Sequence, residues 1–282
     1  MIDSTASYPR HPGRFQSPAT GAFRTRLTAT LLLAAILTGS MPTRADPPSA
    51  RGDHRYEWAV RDAAVPESSE INTPLVAVEP GNDSLIWNDD RSQVKVVSWM
   101  SWQTYLDYFL PYSETSPEEQ YVLWVTMAPY VQRFCQGYAR HRPRLTSAAL
   151  EKRLKQRLGL NPERHYEVFV ELWVDPEHLV RPCVDPEPTD TACTLDFDDS
   201  PPVVRNIGDY AAFYKNLYFK SFRTDSGQPW TGLGYTYDWL HAGPWSRSRS
   251  EFGESEFILS PQTPYHIEAA IPTWDYCTSG PR

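Results

Sequence analysis

The segment HYEVFVELWV, residues His165–Val174, places tyrosine, valine and leucine at even positions and glutamate, phenylalanine and tryptophan at odd positions. β-Branched and aromatic residues that alternate with a period of two predict a strand with two different faces. The segment YVLWVTM, Tyr121–Met127, predicts a second strand that is buried on both faces. Between these strands, aromatic residues four positions apart in Pro129–Arg140 predict a helix.

A second helix follows, with Thr146 or Ser147 as its cap, a leucine at every fourth position from Leu150, and a stop at Gly159. Working outward, the remaining predicted elements are the strand Val94–Trp99, a short helix Thr104–Leu110, the helix Asp209–Arg223 and the β-like stretches Thr231–Trp239, Glu256–Leu259 and His266–Ile271. Strands and helices do not alternate regularly, which favours an α+β fold over a doubly wound one. We predict one domain over residues 86–282, with a mixed or antiparallel sheet and about three helices.

The N-terminal region carries the features of an export signal. The apolar run Leu27–Thr38 follows Arg24 and Arg26, and Thr43–Ala45 offers small residues at a cleavage site. The run is shorter than the roughly 20 residues that cross a bilayer, which favours a signal peptide over residues 1–45, with an uncut anchor as the alternative. Residues 46–85 are rich in Pro, Ser, Gly and charge, which predicts a flexible arm or linker. We therefore expect a secreted or periplasmic protein.

The charge balance argues against nucleic acid as the main partner. Residues 46–282 carry 22 basic and 34 acidic residues, whereas duplex binding depends on neutralising phosphates. The basic residues concentrate between Arg133 and Arg164, where nine Lys or Arg face only two Glu. This segment forms either a solvated helix face or a surface for an anionic ligand. After the predicted signal the sequence contains no second apolar run, so we expect no membrane span in the mature protein.

The four cysteines lie after the predicted signal, and an even count in an exported chain indicates disulfides. The turn-rich segment between Cys183 and Cys193 favours pairing of these two, which leaves Cys135 to pair with Cys277. A metal site is the competing interpretation, but the chain has no C-x-x-C motif. The acidic loop Asp185–Asp199 has oxygen ligands that suit Ca²⁺ but lacks the EF-hand order. We predict no metal and no cofactor.

Aromatic residues are abundant, with 10 Trp, 16 Tyr and 11 Phe. In PWTGLGYTYDW, Pro229–Trp239, a strand would point Tyr235, Tyr237 and Trp239 to one side, with Trp230 nearby and two glycines that leave backbone bare. Such a face suits a sugar or aromatic ligand, and the alternative is an aromatic ladder packed on the helix Asp209–Arg223.

Carboxylates cluster next to this strand. Glu254 and Glu256 in GESEFILSPQTPYHI, Gly253–Ile267, lie near Asp238 and are the candidate catalytic acids. Over about 15 residues the segment resembles the Glu-x-Glu segment of ADP-ribosyltransferases, and the resemblance implies that Glu256 is the catalytic glutamate. The family also uses an early Arg or His and a Ser-Thr-Ser segment, for which only Arg61 and Thr236 would stand in.

Two function classes follow from these residues. The first is a non-catalytic binding or interaction domain that uses Trp230, Tyr235, Tyr237 and Trp239 to contact a small molecule, a glycan or a protein. The second is a secreted hydrolase or a glycosyl- or ADP-ribosyl-type transferase that uses Glu254 and Glu256 near Asp238. The exposure of these aromatic side chains decides between the two roles of the strand: an exposed face can bind a ligand, whereas a buried face packs in the core.

Overall fold

The computed structural model describes residues 53–200, 202–223, 227–243 and 251–280. The predicted signal peptide lies outside these ranges. Within them the chain forms six α-helices and seven strands. The helices are α1 His54–Ala63, α2 Trp102–Tyr108, α3 Tyr130–Arg140, α4 Ser147–Arg157, α5 Tyr210–Phe222 and α6 Thr273–Thr278. The strands are β1 Val94–Met100, β2 Leu123–Met127, β3 Val168–Val174, β4 Leu179–Val180, β5 Tyr235–Tyr237, β6 Phe252–Leu259 and β7 Tyr265–Pro272.

All seven strands belong to one antiparallel sheet, and six of them follow the order β4-β6-β2-β1-β3-β7. The seventh, β5, pairs with β6 at Phe252 and Ser255, whereas β4 pairs with β6 at Ile258 and Leu259. The predicted α+β class and antiparallel sheet are confirmed. The structure has more helices than the three or so predicted. The additional ones include α1, which lies in the segment predicted as an arm, and α6, which has only 6 residues. In the described part of the chain no helix exceeds 13 residues, and none has the length and apolar character to cross a membrane.

The sheet separates two apolar layers. One face carries Val96, Val125, Val170 and Phe257, which pack against α2 and against Val78 and Leu85 of the preceding segment. The opposite face, here called the helix face, is covered by α3, α4 and α6 over β1, β3 and β7, and by α5 over β2, β4 and β6.

Helix α4 forms as its sequence predicts. The Thr146 side chain accepts a hydrogen bond from the Ala149 backbone N–H, which caps the first turn. Leu150, Leu154 and Leu158 are buried in the core. Gly159 then adopts a φ of +66°, which favours glycine and ends the helix.

Both predicted disulfides are confirmed. Cys135 of α3 pairs with Cys277 of α6, and Cys183 pairs with Cys193 across the acidic loop. No described cysteine is free. The first bridge joins positions 142 residues apart, and closure of so long a loop stabilises the fold by about 5 kcal/mol in the chain-entropy account.

The described part of the segment predicted as a flexible arm packs against the domain. Helix α1 buries Tyr56, Ala59 and Ala63. Leu75 and Val78 donate backbone hydrogen bonds to Thr191 and Pro188 of the disulfide loop. The Pro- and Ser-rich composition hid these few apolar residues, whose burial is enough to dock the segment.

Candidate functional site

The four aromatic residues predicted to form a ligand platform lie in the interior. Trp230, Tyr235, Tyr237 and Trp239 are each at most 5% exposed. Tyr237 and Trp239 pack against α1, whereas Tyr235 lies beside the Cys183–Cys193 bridge and Trp230 packs on α5. They therefore belong to three different core clusters, and the expected common aromatic surface is not formed. The period-two pattern of the strand is compatible with a buried face as well as with an exposed one. Burial is favoured here because each aromatic side chain removes a large apolar area from water.

Two of the three predicted catalytic carboxylates are held by arginines of α4. Arg153 Nη1 and Nη2 donate to Asp238 Oδ1 and Oδ2 at 3.0 and 2.7 Å, a bidentate pair. Arg157 Nε donates to Glu254 Oε1 at 2.7 Å, and its Nη1 donates to the Phe252 carbonyl at 2.8 Å. Asp238 and Glu254 are only 5% and 6% exposed. Both carboxylates therefore join α4 to the β5–β6 region and have little access to a substrate.

The basic segment thus has an internal role that its composition did not reveal. The guanidinium groups of Arg153 and Arg157 lie over the Phe134 ring, 4.8 and 4.9 Å from its centroid. This cation–π contact and the two carboxylates fix both arginines between α3 and β6. These two basic residues are used inside the fold and are not part of a surface for an anionic ligand.

Close backbone contact at Gly253 completes this junction. Thr236 Oγ1 donates to the Arg157 carbonyl at 2.9 Å and accepts from the Glu254 N–H at 2.8 Å. A side chain at Gly253 would overlap both Thr236 and the Arg157 carbonyl. Thr236, the residue that would replace the Ser-Thr-Ser segment, is therefore buried, and its hydroxyl links α4 to β6 through two hydrogen bonds. Arg61 lies exposed on α1 and not on an early strand, so the geometry implied by the ADP-ribosyltransferase resemblance is absent.

Glu256 lies in a different environment from Glu254. It pairs with Thr126 of β2, which is next to Val97 of β1, which in turn is next to Glu171 of β3. Paired residues of antiparallel strands point to the same side, so these four side chains form one row across the helix face. Glu256 is 2% exposed, and burial raises the pKa of its carboxyl.

Tyr276 of α6 packs on the same face of the sheet, in the cluster that contains Val97 and Phe169. Its ring stacks on Phe169 with centroids 4.2 Å apart. Burial raises the pKa of Tyr276, and the charges of Glu171 and Glu254 raise it further. Lys95 lies 3.6 Å from Glu171. We call Lys95, Thr126, Glu171, Glu254, Glu256 and Tyr276 the polar seam.

A surface cavity lies elsewhere, between residues 118–120 and α5. Its volume is about 540 Å³, which is within the usual range for small-ligand pockets. We call it the α5 groove. Its lining residues are Glu118, Glu119, Gln120, Phe213, Asn216, Leu217 and Lys220.

Sequence reasoning did not identify the groove or most of the seam. Thr126 is the one hydroxyl residue in an otherwise apolar strand, and that interruption was the available signal for the seam. Lys95 and Glu171 occupy strand positions whose side chains point to the helix face, but the sequence does not show this without the order of the strands in the sheet. For the groove, the exposed Asn216 and half-buried Lys220 of α5 carry no pattern that separates them from ordinary surface residues.

The described residues contain no group of three or more His, Cys, Asp or Glu side chains arranged to hold a metal ion. In the acidic loop, Asp190 lies 3.6 Å from the fully buried Arg181 guanidinium, and Arg181 Nη2 also donates to the carbonyls of Val76, Pro188 and Asp190. The loop is thus organised around an arginine. The chain matches no protein-family model, no curated protein and no solved structure.

Proposed function

We propose that this is an exported binding protein that takes a small zwitterionic molecule, such as a free amino acid or short peptide, in the α5 groove. The observation that carries the proposal is the groove itself, an open cavity of about 540 Å³ with charges of both signs on its rim. Export is supported by the predicted signal and by the pairing of all four cysteines.

The lining of the groove suggests the ligand chemistry. Phe213 and Leu217 supply an apolar floor that is continuous with the core cluster containing Trp230. Glu118 and Glu119 lie on one wall, and Lys220 lies on α5. Lys220 Nζ donates to the Gln120 carbonyl at 3.1 Å, which fixes the ammonium group at the groove. A ligand carboxylate would pair with Lys220 and a ligand ammonium with the glutamates.

A binding role fits the state of the predicted catalytic acids. Asp238 and Glu254 already accept charge-assisted hydrogen bonds from arginines. Releasing either carboxylate for chemistry would leave a largely buried arginine, 11% exposed for Arg153 and 24% for Arg157, without its counter-charge. A hydrolase or transferase mechanism that uses these two acids therefore has no specific support in the geometry.

Nuclear magnetic resonance titration tests the proposal directly. The probes are the common free amino acids and dipeptides, added to isotope-labelled protein, with glucose as an uncharged comparison. Backbone signals of residues 118–120 and of Asn216 and Lys220 are expected to shift with the zwitterions and not with glucose. Asn216→Trp fills the groove and should abolish the shifts. Lys215→Trp, at an exposed neighbouring position outside the groove, is the matched control. Unaltered shifts in Asn216→Trp, or none in the wild type, would refute the proposal.

A further inference from the structure

Helix α5 carries apolar side chains on both its inner and its outer side. Its inner side buries Phe213 and Leu217 against the sheet. On its outer side, Phe219 is 61% exposed and Tyr218 is 36% exposed. A helix at the surface of a globular protein usually turns a polar side to solvent, whereas a helix that is apolar all round is usually covered all round. The outer side of α5 therefore has the composition of an interface.

The exposed residues of α5 form a continuous surface with the end of α1. Ala212, Lys215, Phe219 and Arg223 follow one another at spacings of three or four residues, which places them in one stripe along the helix. The Tyr218 hydroxyl donates to the Ala64 carbonyl at 3.0 Å. That contact brings the neighbouring residue of the chain, Val65, which is 71% exposed, to the edge of the stripe. We call the following residues the α5 face: Val65, Ala212, Lys215, Tyr218, Phe219 and Arg223.

The α5 face is complementary to itself when two copies meet with their α5 helices antiparallel. Asp209 is the N-cap of α5 and Arg223 is its C-cap, and each lies seven residues from Asn216. With a two-fold axis level with Asn216, the exposed Asp209 of each copy comes level with the exposed Arg223 of the other. This favourable contact is then formed twice. The same arrangement sets the bulky Phe219 against the turn that contains the small Ala212, where two helices can approach closely.

We propose that the α5 face binds a second copy of this chain, in a symmetric dimer whose two α5 helices run antiparallel. Phe219, Tyr218 and Val65 supply the apolar centre, because their contact removes exposed apolar area from water. The paired charges of Asp209 and Arg223 at the ends of the helices set the orientation. None of the residues of the α5 face lines the α5 groove, so this proposal and the proposed ligand site do not depend on each other.

Sedimentation velocity of the purified full chain, with its disulfides intact and without added ligand, tests the dimer. The wild type should change from monomer to dimer between about 1 and 200 µM, a range in which small interfaces dissociate. A wild-type chain that stays monomeric at the highest concentration would overturn the proposal. The α5 face would then have a different protein as its occupant.

Two substitutions of equally accessible side chains locate the interface. Phe219→Glu places a charge in the apolar centre and should raise the dissociation constant of the dimer at least about tenfold, as loss of a central aromatic contact does. Leu106→Glu is the matched control, because Leu106 is 49% exposed on α2 and lies outside the α5 face. It should leave the dissociation constant unchanged. Circular dichroism verifies that both variants fold. A dimer that persists unchanged in Phe219→Glu would overturn the proposal.

Cross-linking tests the antiparallel arrangement itself. All four native cysteines are paired, so Lys215→Cys introduces the sole free thiol. Position 215 lies one residue from the two-fold axis, which brings the two thiols of the dimer within reach of a disulfide. Oxidation by a copper–phenanthroline complex should give a covalent dimer on a non-reducing gel. Lys152→Cys, at an exposed position of α4, is the control and should stay monomeric. Failure of Lys215→Cys to cross-link in a dimeric sample would contradict the antiparallel interface.

Discussion

Arg153 and Asp238 form a bidentate ion pair in which both carboxylate oxygens accept from the guanidinium, at 3.0 and 2.7 Å. The side chains are 11% and 6% exposed. The pair joins helix α4 to the residue that follows β5, and Asp238 Oδ1 also accepts from the Leu240 N–H. A residue predicted to be catalytic is therefore a structural link between two parts of the fold.

Removal of one partner of this pair should destabilise the protein strongly. We expect Asp238→Asn to lower the free energy of unfolding by about 3–5 kcal/mol, because it leaves the Arg153 charge buried without compensation. Urea unfolding followed by circular dichroism measures the change. Glu177→Gln is the control, since Glu177 pairs with Arg205 on the exposed surface and should change stability by less than about 1 kcal/mol. A loss at Asp238 no larger than at Glu177 would contradict the prediction.

Gly253 should not tolerate a methyl group. A Cβ at this position would lie 2.5 Å from the Arg157 carbonyl oxygen and closer still to Thr236. We expect Gly253→Ala to cost at least about 2 kcal/mol, as overpacking against backbone does. Gly137→Ala is the matched control, because Gly137 lies within α3 and an added Cβ there meets no atom within 4 Å. That substitution should instead stabilise the helix by about 1 kcal/mol. Similar melting temperatures for the two variants would argue against the close approach of β6 to α4.

Glu256 should make the stability of the protein fall as pH rises. Its pKa is raised above the usual 4.5 by burial, so the folded state holds this proton more tightly than the unfolded state. The free energy of unfolding then decreases as pH increases from about 4.5 through the higher folded-state pKa. Glu256→Gln should reduce this decrease, as measured by urea unfolding between pH 4.5 and 7.

Glu268→Gln provides a control of opposite sign. A hydrogen bond from Trp173 and the charge of Lys95 lower the pKa of Glu268. Its contribution to stability is therefore present above the unfolded-state pKa and is lost as pH falls. A pH dependence in Glu256→Gln that equals that of the wild type would show that Glu256 does not titrate as its burial requires.

Local patterns in the sequence were sufficient for most secondary structure. The leucine stripe of α4, its Thr146 cap and the Gly159 stop depend on neighbours within one or two helical turns, and the structure contains all three. The cysteine pairing was also predictable, because only three connectivities exist and the loop from Cys183 to Cys193 is short and rich in turn residues. Helix α1 was not predicted, since its few apolar residues are stabilised by contact with Tyr237 and Trp239, far away in the chain.

The roles of the polar residues required the tertiary structure. Asp238, Glu254 and Glu256 looked equivalent in the sequence, yet two are paired with arginines of α4 and the third lies beside Thr126 on the helix face. Contacts such as Arg153 with Asp238, 85 positions apart, and Val76 with Ser255, 179 positions apart, join distant parts of the chain. No local pattern encodes which residues meet. The same limit applied to the aromatic strand, whose alternation predicts a face but not whether that face meets solvent or α1.

The sequence by itself therefore determined the α+β class, most element boundaries and both disulfides, because these depend on side-chain periodicity, turn chemistry and a small number of cysteines. The tertiary structure alone decided that the aromatic strand is core, that the α4 arginines pair inward, and that Thr126 and Glu256 are buried side by side. The physical reason is that burial and counter-charges set the chemistry of a polar group, and both are supplied by residues distant in the chain.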